Sequence, residues 1–140
     1  MKAQEEKKIL VQFNEVNDYI FNIDHLPKWL NYVENLKHIT MNQEIKGSYI
    51  SMEINLFRKV ENFHFRISEY EKNKKIRLKS KTPFFFEITI KIEKSIDGFS
   101  YVNLKTKIKP KNFLILLRRK KLISSTSLSL SNLENFSVLN

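Results

Sequence analysis

The strongest constraint on this chain is a run of strict two-residue alternation between Ser48 and Lys109. Ile50, Met52, Ile54 and Leu56 share one face of a segment whose other face carries Tyr49, Ser51, Glu53 and Asn55. The pattern repeats with Phe63, Phe65 and Ile67 against Asn62, His64, Arg66 and Ser68. It repeats again with Ile76, Leu78, Ser80 and Thr82 against Lys75, Arg77, Lys79 and Lys81. Phe86, Ile88, Ile90 and Ile92 oppose Glu87, Thr89, Lys91 and Glu93, and Val102, Leu104, Thr106 and Ile108 oppose Tyr101, Asn103, Lys105, Lys107 and Lys109. Such alternation marks half-buried strands. The turns between them are short: Lys72-Asn73-Lys74, Pro83, and the hairpin pair Asp97-Gly98. Successive strands with short connections predict an antiparallel sheet with one wet face and one apolar face. The apolar face must be covered by other elements.

Two segments are available as cover. Asn14 to Val33 reads as two short helices split by a polar break at Asn22 and Asp24. Val16, Tyr19, Ile20 and Ile23 recur at helical spacing, with Asn14 as the expected N-cap. Pro27 fits the first turn of the second helix, where its missing N–H costs nothing, and Trp29, Leu30 and Val33 form its apolar side. Helices this short depend on packing. The segment from Asn112 onward contains neither Gly nor Pro, and Leu114, Leu117, Leu122, Leu130, Leu133 and Phe136 form a helical stripe. It reads as a long C-terminal helix, although Ser124 to Ser131 has poor helix propensity and alternates locally. Before the first helix, Ile9, Val11 and Phe13 predict a first strand. A second strand is expected over Leu36 to Met41.

The V-x-D-Y-I of Val16 to Ile20, the Asp-containing break and the L-P-K-W-L of Leu26 to Leu30 resemble the opening of START-like (SRPBCC) domains. Those are the domains of the polyketide cyclase/dehydrase and Bet v 1-like group. Glu69-Tyr70-Glu71 followed by Lys74-Lys75-Ile76 is similar to that group's E-Y-x-P-P-K-R turn. The chain lacks the group's proline before the first helix and its prolines at the Asn73 turn. The resemblance spans most of the chain and implies one domain over residues 1–140. Its fold class is α+β, a helix-grip fold: a curved antiparallel β-sheet of about seven strands around a long C-terminal α-helix, with two short helices after the first strand.

The resemblance further implies binding of a hydrophobic small molecule or lipid between sheet and helix. Ile54, Phe63, Phe65, Phe86, Ile88, Ile90, Leu104 and Leu130 are the expected lining. Trp29 serves either as a lid or, on the commoner pattern for a Trp beside short helices, as a packing anchor. The same side chains also make an ordinary packed core. Glu69 shares parity with Phe63, Phe65 and Ile67 and so could point inward near a strand end, although a residue so placed is more often a solvated end residue. Small Ser and Thr side chains on the C-terminal helix leave room beneath it. The group also implies a second reading, a polyketide cyclase/aromatase enzyme, which requires inward polar groups, and the alternation supplies few of them.

Composition excludes several chemistries. There is no Cys, and the two glycines, Gly47 and Gly98, cannot make a phosphate-cradling loop. His25, His38 and His64 lack metal-ligand spacing, and no G-x-S-x-G motif is present. No cofactor, metal or catalytic residue is therefore assigned. The start, MKAQEEKK, is not a signal peptide, and no apolar run approaches the roughly 20 residues of a membrane span, so a cytoplasmic protein is expected. The net charge of +10 is uneven. Residues 1–70 carry nine Lys/Arg against ten Asp/Glu, and residues 71–140 carry sixteen against five. Lys75 to Lys81, Lys105 to Lys109 and Arg118 to Lys121 thus give a basic face. It is read as a solubilising surface, with weak contact to an anionic membrane or nucleic acid as a third functional reading. Nothing in the sequence specifies an oligomeric state.

Overall fold

The computed structural model describes residues 1–40, 42–57, 59–109, 115 and 117–139, with side chains described as far as residue 136. Seven strands form one antiparallel sheet: β1 (Lys2–Ile9), β2 (Val33–Thr40), β3 (Tyr49–Ile54), β4 (Glu61–Glu71), β5 (Lys75–Ser80), β6 (Phe86–Lys94) and β7 (Ser100–Ile108). Their order across the sheet is β1-β7-β6-β5-β4-β3-β2. Strands β2 to β7 follow one another as a meander, and β1 closes onto β7 with Lys7 opposite Val102 and Ile9 opposite Ser100. Between β1 and β2 lie α1 (Phe13–Ile20), a 3-10 turn at Ile23–His25, and α2 (Leu26–Trp29). The chain ends in α3 (Arg119–Leu139), which packs on β1, β7 and α2. The expected start of this helix at Asn112 and its stripe residue Leu114 lie outside the described residues, as does Met41 at the end of the expected second strand.

The alternation holds from β3 to β7. Ile50, Met52, Ile54, Phe63, Phe65, Ile76, Leu78, Phe86, Ile88, Ile90, Val102, Leu104 and Ile108 are all buried on one face. Leu122, Leu130, Leu133 and Phe136 of α3 and Val16, Ile20, Leu26 and Trp29 of the short helices complete the core. Leu117 is exposed and contributes nothing to the stripe. The Ser-rich stretch is helical. Its buried hydroxyls are absorbed by the helix itself, with Thr126 Oγ1 donating to the Leu122 carbonyl at 2.8 Å and Ser129 Oγ to that of Ser125 at 2.7 Å. These side chains therefore occupy the sheet-facing side without needing a partner from the sheet.

Three local expectations are corrected. The first strand is Lys2–Ile9, not a strand through Ile9, Val11 and Phe13. Its core-side positions include Glu5 and Lys7 because the strand runs along the sheet edge under α3, where Lys7 pairs with Glu134 at 3.3 Å. An ion pair there leaves no apolar period to read. Phe13 instead opens α1, whose N-cap is Gln12 with no side-chain cap bond, so Asn14 falls inside the first turn.

The third correction is Glu69, which does not face inward. A bulge sets both Ser68 and Glu69 against Arg77, between the pairs Ile67–Leu78 and Tyr70–Ile76. The extra residue reverses parity. Glu69 turns outward to Arg77 (2.7 Å) and Lys75 (2.9 Å), while Tyr70 turns inward and donates its hydroxyl to the Phe21 carbonyl at 2.6 Å. At the opposite edge, β2 pairs with β3 through two register breaks, at Val33/Asn35 and His38/Thr40.

The Asp97-Gly98 turn is held by charge. Lys8 Nζ lies 2.5 Å from Asp97 Oδ2, and Ser95 Oγ and the Phe99 amide also donate to this carboxylate. The hydrogen bond from Lys8, aided by that from Ser95, holds the Asp97 carboxyl down at about 2. A depressed carboxyl stabilises the fold above its ordinary range near pH ~4 and loses that contribution as pH falls through the folded value. A carbon-detected NMR titration should place the Asp97 midpoint near 2, and Lys8→Met should move it up towards the unperturbed value. Packing is tested separately. Phe63→Ala should cost about 3–5 kcal/mol in urea unfolding, whereas the half-buried outer residue Phe85, changed to Ala, should cost less than about 1 kcal/mol.

Candidate functional site

The inner face of the sheet brings its aromatic residues into one cluster. Phe63 meets Phe65 at 6.0 Å, Phe86 at 5.0 Å and Phe84 at 5.1 Å between ring centroids, and Phe65 meets Phe86 edge-on at 5.6 Å. Phe57 and Tyr32 extend the cluster, Tyr32 lying 5.9 Å from Phe86. These are the tilted and edge-to-face geometries that aromatic rings prefer. All nine sequence candidates, Trp29, Ile54, Phe63, Phe65, Phe86, Ile88, Ile90, Leu104 and Leu130, lie in this interior with at most 1% of their surface exposed.

One hydroxyl pair sits inside this apolar volume. Tyr32 Oη and Thr106 Oγ1 are 2.8 Å apart, joining the α2–β2 connection to β7. Burial pushes the Tyr32 phenol strongly upward, against a smaller opposing effect from the Thr106 hydrogen bond, so it stays protonated at physiological pH. Nearby, α2 and α3 are tied together by polar contacts. The Asn31 amide donates to Ser129 Oγ at 2.8 Å, and Asn132 Nδ2 donates to the Trp29 carbonyl at 3.1 Å. The indole N–H of Trp29 is buried and finds no acceptor among the described residues. Sequence reasoning placed Trp29 correctly but carried no signal for Tyr32, whose partner is 74 residues away in the chain.

The histidines resolve into distinct roles. His25 stacks on Tyr19 at 4.4 Å, Tyr19 stacks on Phe136 at 4.3 Å, and His25 Nδ1 lies 2.9 Å from the Tyr19 carbonyl. His25 thus helps bind the short helices to α3. His38 Nε2 lies 2.5 Å from Asp24 Oδ1, a pair that the sequence did not suggest because Asp24 is adjacent to His25 instead. This pair borders a surface hollow of about 310 Å³ between the 3-10 turn and β2 to β4. Phe21, Ile23, Ile45 and Ile67 give that hollow an apolar floor, and none of the nine interior candidates lines it. His64 lies on the outer face of the sheet, in a second and larger hollow.

No family model and no curated protein matches this sequence. Solved structures do. A START superfamily protein from Mycobacterium smegmatis superposes with a TM-score of 0.74 at 11% identity, covering 99% of both chains. The fold is START-like. Ara h 8.0201 gives a TM-score of 0.72 at 14% identity over 100% of this chain and 99% of its own. The di-domain ARO/CYC protein BexL, from the BE-7585A biosynthetic pathway, gives 0.71 at 16% identity over 99% of this chain and 47% of its own. At these identities the likeness establishes the helix-grip architecture alone. Among the described residues, no helix is long and apolar enough to cross a membrane, and no group of three or more His, Asp or Glu side chains gathers into a metal site.

The Tyr32–Thr106 pair makes a clean test of the interior. Thr106→Val should cost about 1–3 kcal/mol in denaturant unfolding by stranding a buried phenol. Adding Tyr32→Phe should recover most of that loss, and a double-mutant cycle measures the coupling.

Proposed function

We propose that this START-like chain binds a hydrophobic small molecule or lipid between the sheet and α3, with the apolar hollow beside the 3-10 turn as its way in. One observation supports the reading: Phe21, Ile23 and Ile67, all members of the buried core, also floor a surface hollow of about 310 Å³. Sites for apolar ligands are hollows of this character with few polar groups. Burial of ligand surface at roughly 25 cal/mol per Å² supplies the affinity. The unpartnered Trp29 N–H is the donor available to an oxygen on the ligand. The closely packed Phe63, Phe65 and Phe86 rings give way as the ligand enters, so binding and core packing compete. Trp29, Ile54, Ile88, Ile90, Leu104 and Leu130 are the remaining proposed contacts.

Native mass spectrometry of protein purified from its own source should reveal a co-purified apolar compound. Displacement of a fluorescent apolar probe then gives affinity. Ile45→Glu, at the half-open rim of the hollow, should weaken probe binding about tenfold by placing a charge at the entrance, while leaving the thermal midpoint within a few degrees because Ile45 is 41% exposed. Unchanged probe affinity in Ile45→Glu, or absence of any apolar compound and of any probe binding, would overturn the reading.

A further inference from the structure

The largest hollow described lies on the opposite, outer face of the sheet, with a volume of about 530 Å³. Strand register builds it. Tyr49 on β3 is paired with Arg66 on β4, and Arg66 with Lys79 on β5, so three outward side chains stand in one row about 5 Å apart. His64, Ser68, Lys81 and Thr82 flank this row and complete the lining.

The charges in this hollow are incompletely neutralised, unlike the adjacent Arg77 and Lys75. Arg77 and Lys75 share Glu69 at 2.7 and 2.9 Å. Lys79 reaches Glu87 only at 3.8 Å. Arg66 and Lys81 have no carboxylate partner among the described residues, and Arg66 is exposed. Like charges on adjacent strands repel, so the arrangement favours an anion held between them. Arginine presents a fork that matches two phosphate oxygens, and lysines add point charge.

The surroundings decide the size of that anion. Glu87 lies beside Lys79 in the same row, Glu69 flanks the bulge beyond Ser68, and Glu53 follows Ser51 along β3. A phosphate backbone or a flat anionic bilayer laid across this face meets those carboxylates. A molecule confined to the hollow does not, and 530 Å³ falls in the range of small-molecule sites. Tyr49 adds an aromatic ring with 43% of its surface exposed, a stacking surface for a planar group.

We propose that this hollow binds a small phosphorylated molecule carrying a planar ring, of the nucleotide class. Arg66 forks two phosphate oxygens, Lys79 and Lys81 neutralise the remaining charge, and the ring stacks on Tyr49. The site is independent of the apolar interior, because its residues point to the other face of the sheet.

Isothermal titration calorimetry at about 0.15 M salt tests it, with ADP and inorganic pyrophosphate as probes and with phosphatidylserine vesicles and duplex DNA as competing partners. ADP should bind, and more tightly than pyrophosphate. Arg66→Gln should weaken both about tenfold or more, with circular dichroism and the thermal midpoint unchanged because the side chain is exposed. Tyr49→Ala should bring ADP down to the affinity of pyrophosphate and leave pyrophosphate unaltered. Lys105→Gln, an outer-face lysine outside the hollow, should change affinity less than about twofold. Absence of binding by both probes would overturn the proposal. So would equal losses in Arg66→Gln and Lys105→Gln, which would mean diffuse charge. Tighter binding to vesicles or DNA than to ADP would overturn it in favour of a macromolecular partner.

Discussion

Everything in this structure follows from a sheet that is apolar on one side only. Five consecutive strands direct Ile, Leu, Val and Phe to the same face, and no strand can be stable until that face is shielded from water. The short helices and α3 do the shielding from two directions, and hydrogen bonds and a ring stack lock the two covers together: Asn31 to Ser129, Asn132 to the Trp29 carbonyl, and the His25–Tyr19–Phe136 stack. The covers are thus fastened to each other as much as to the sheet. A ligand between sheet and helix would work against ring packing, but it would leave these lateral ties in place.

The two faces of the sheet divide the chemistry cleanly. Inside, the ionisable group buried among the rings is a phenol that desolvation keeps neutral, so the interior offers hydrogen bonds without charge. Outside, Arg66 and Lys81 border one hollow, and no carboxylate pairs with either among the described residues. A single sheet about one residue thick therefore separates a dry environment from an electropositive one. Two unrelated kinds of molecule can be held on its two sides without sharing a side chain.

Much of this was legible from residues alone. Strands β3 to β7 could be read because each has one buried and one wet face, which imposes a period of two. The same logic fails wherever an ion pair or hydrogen bond replaces apolar contact. Strand β1 sets a half-buried Lys7 against Glu134, so its pattern is silent, and the apolar residues around its end mimic a strand of their own. Glu69 was misplaced because a single bulged residue inverts parity, and a bulge has no sequence mark comparable to a glycine turn. The Ser-rich part of α3 looked strand-like because the hydroxyl bonds back to the helix, visible only in three dimensions, cancel its weak propensity. For the candidate sites the limit was range. Tyr32–Thr106, Asp24–His38 and the Tyr49–Arg66–Lys79 row all join residues from different strands or turns.

The broken register of β2 has its own consequence. This strand forms one border of the sheet, and its two interruptions leave its backbone donors and acceptors out of step with any straight strand offered to them. Growth of the sheet by addition of further copies at this edge is thereby frustrated, a safeguard against fibre-like stacking in a chain rich in β-branched and aromatic residues.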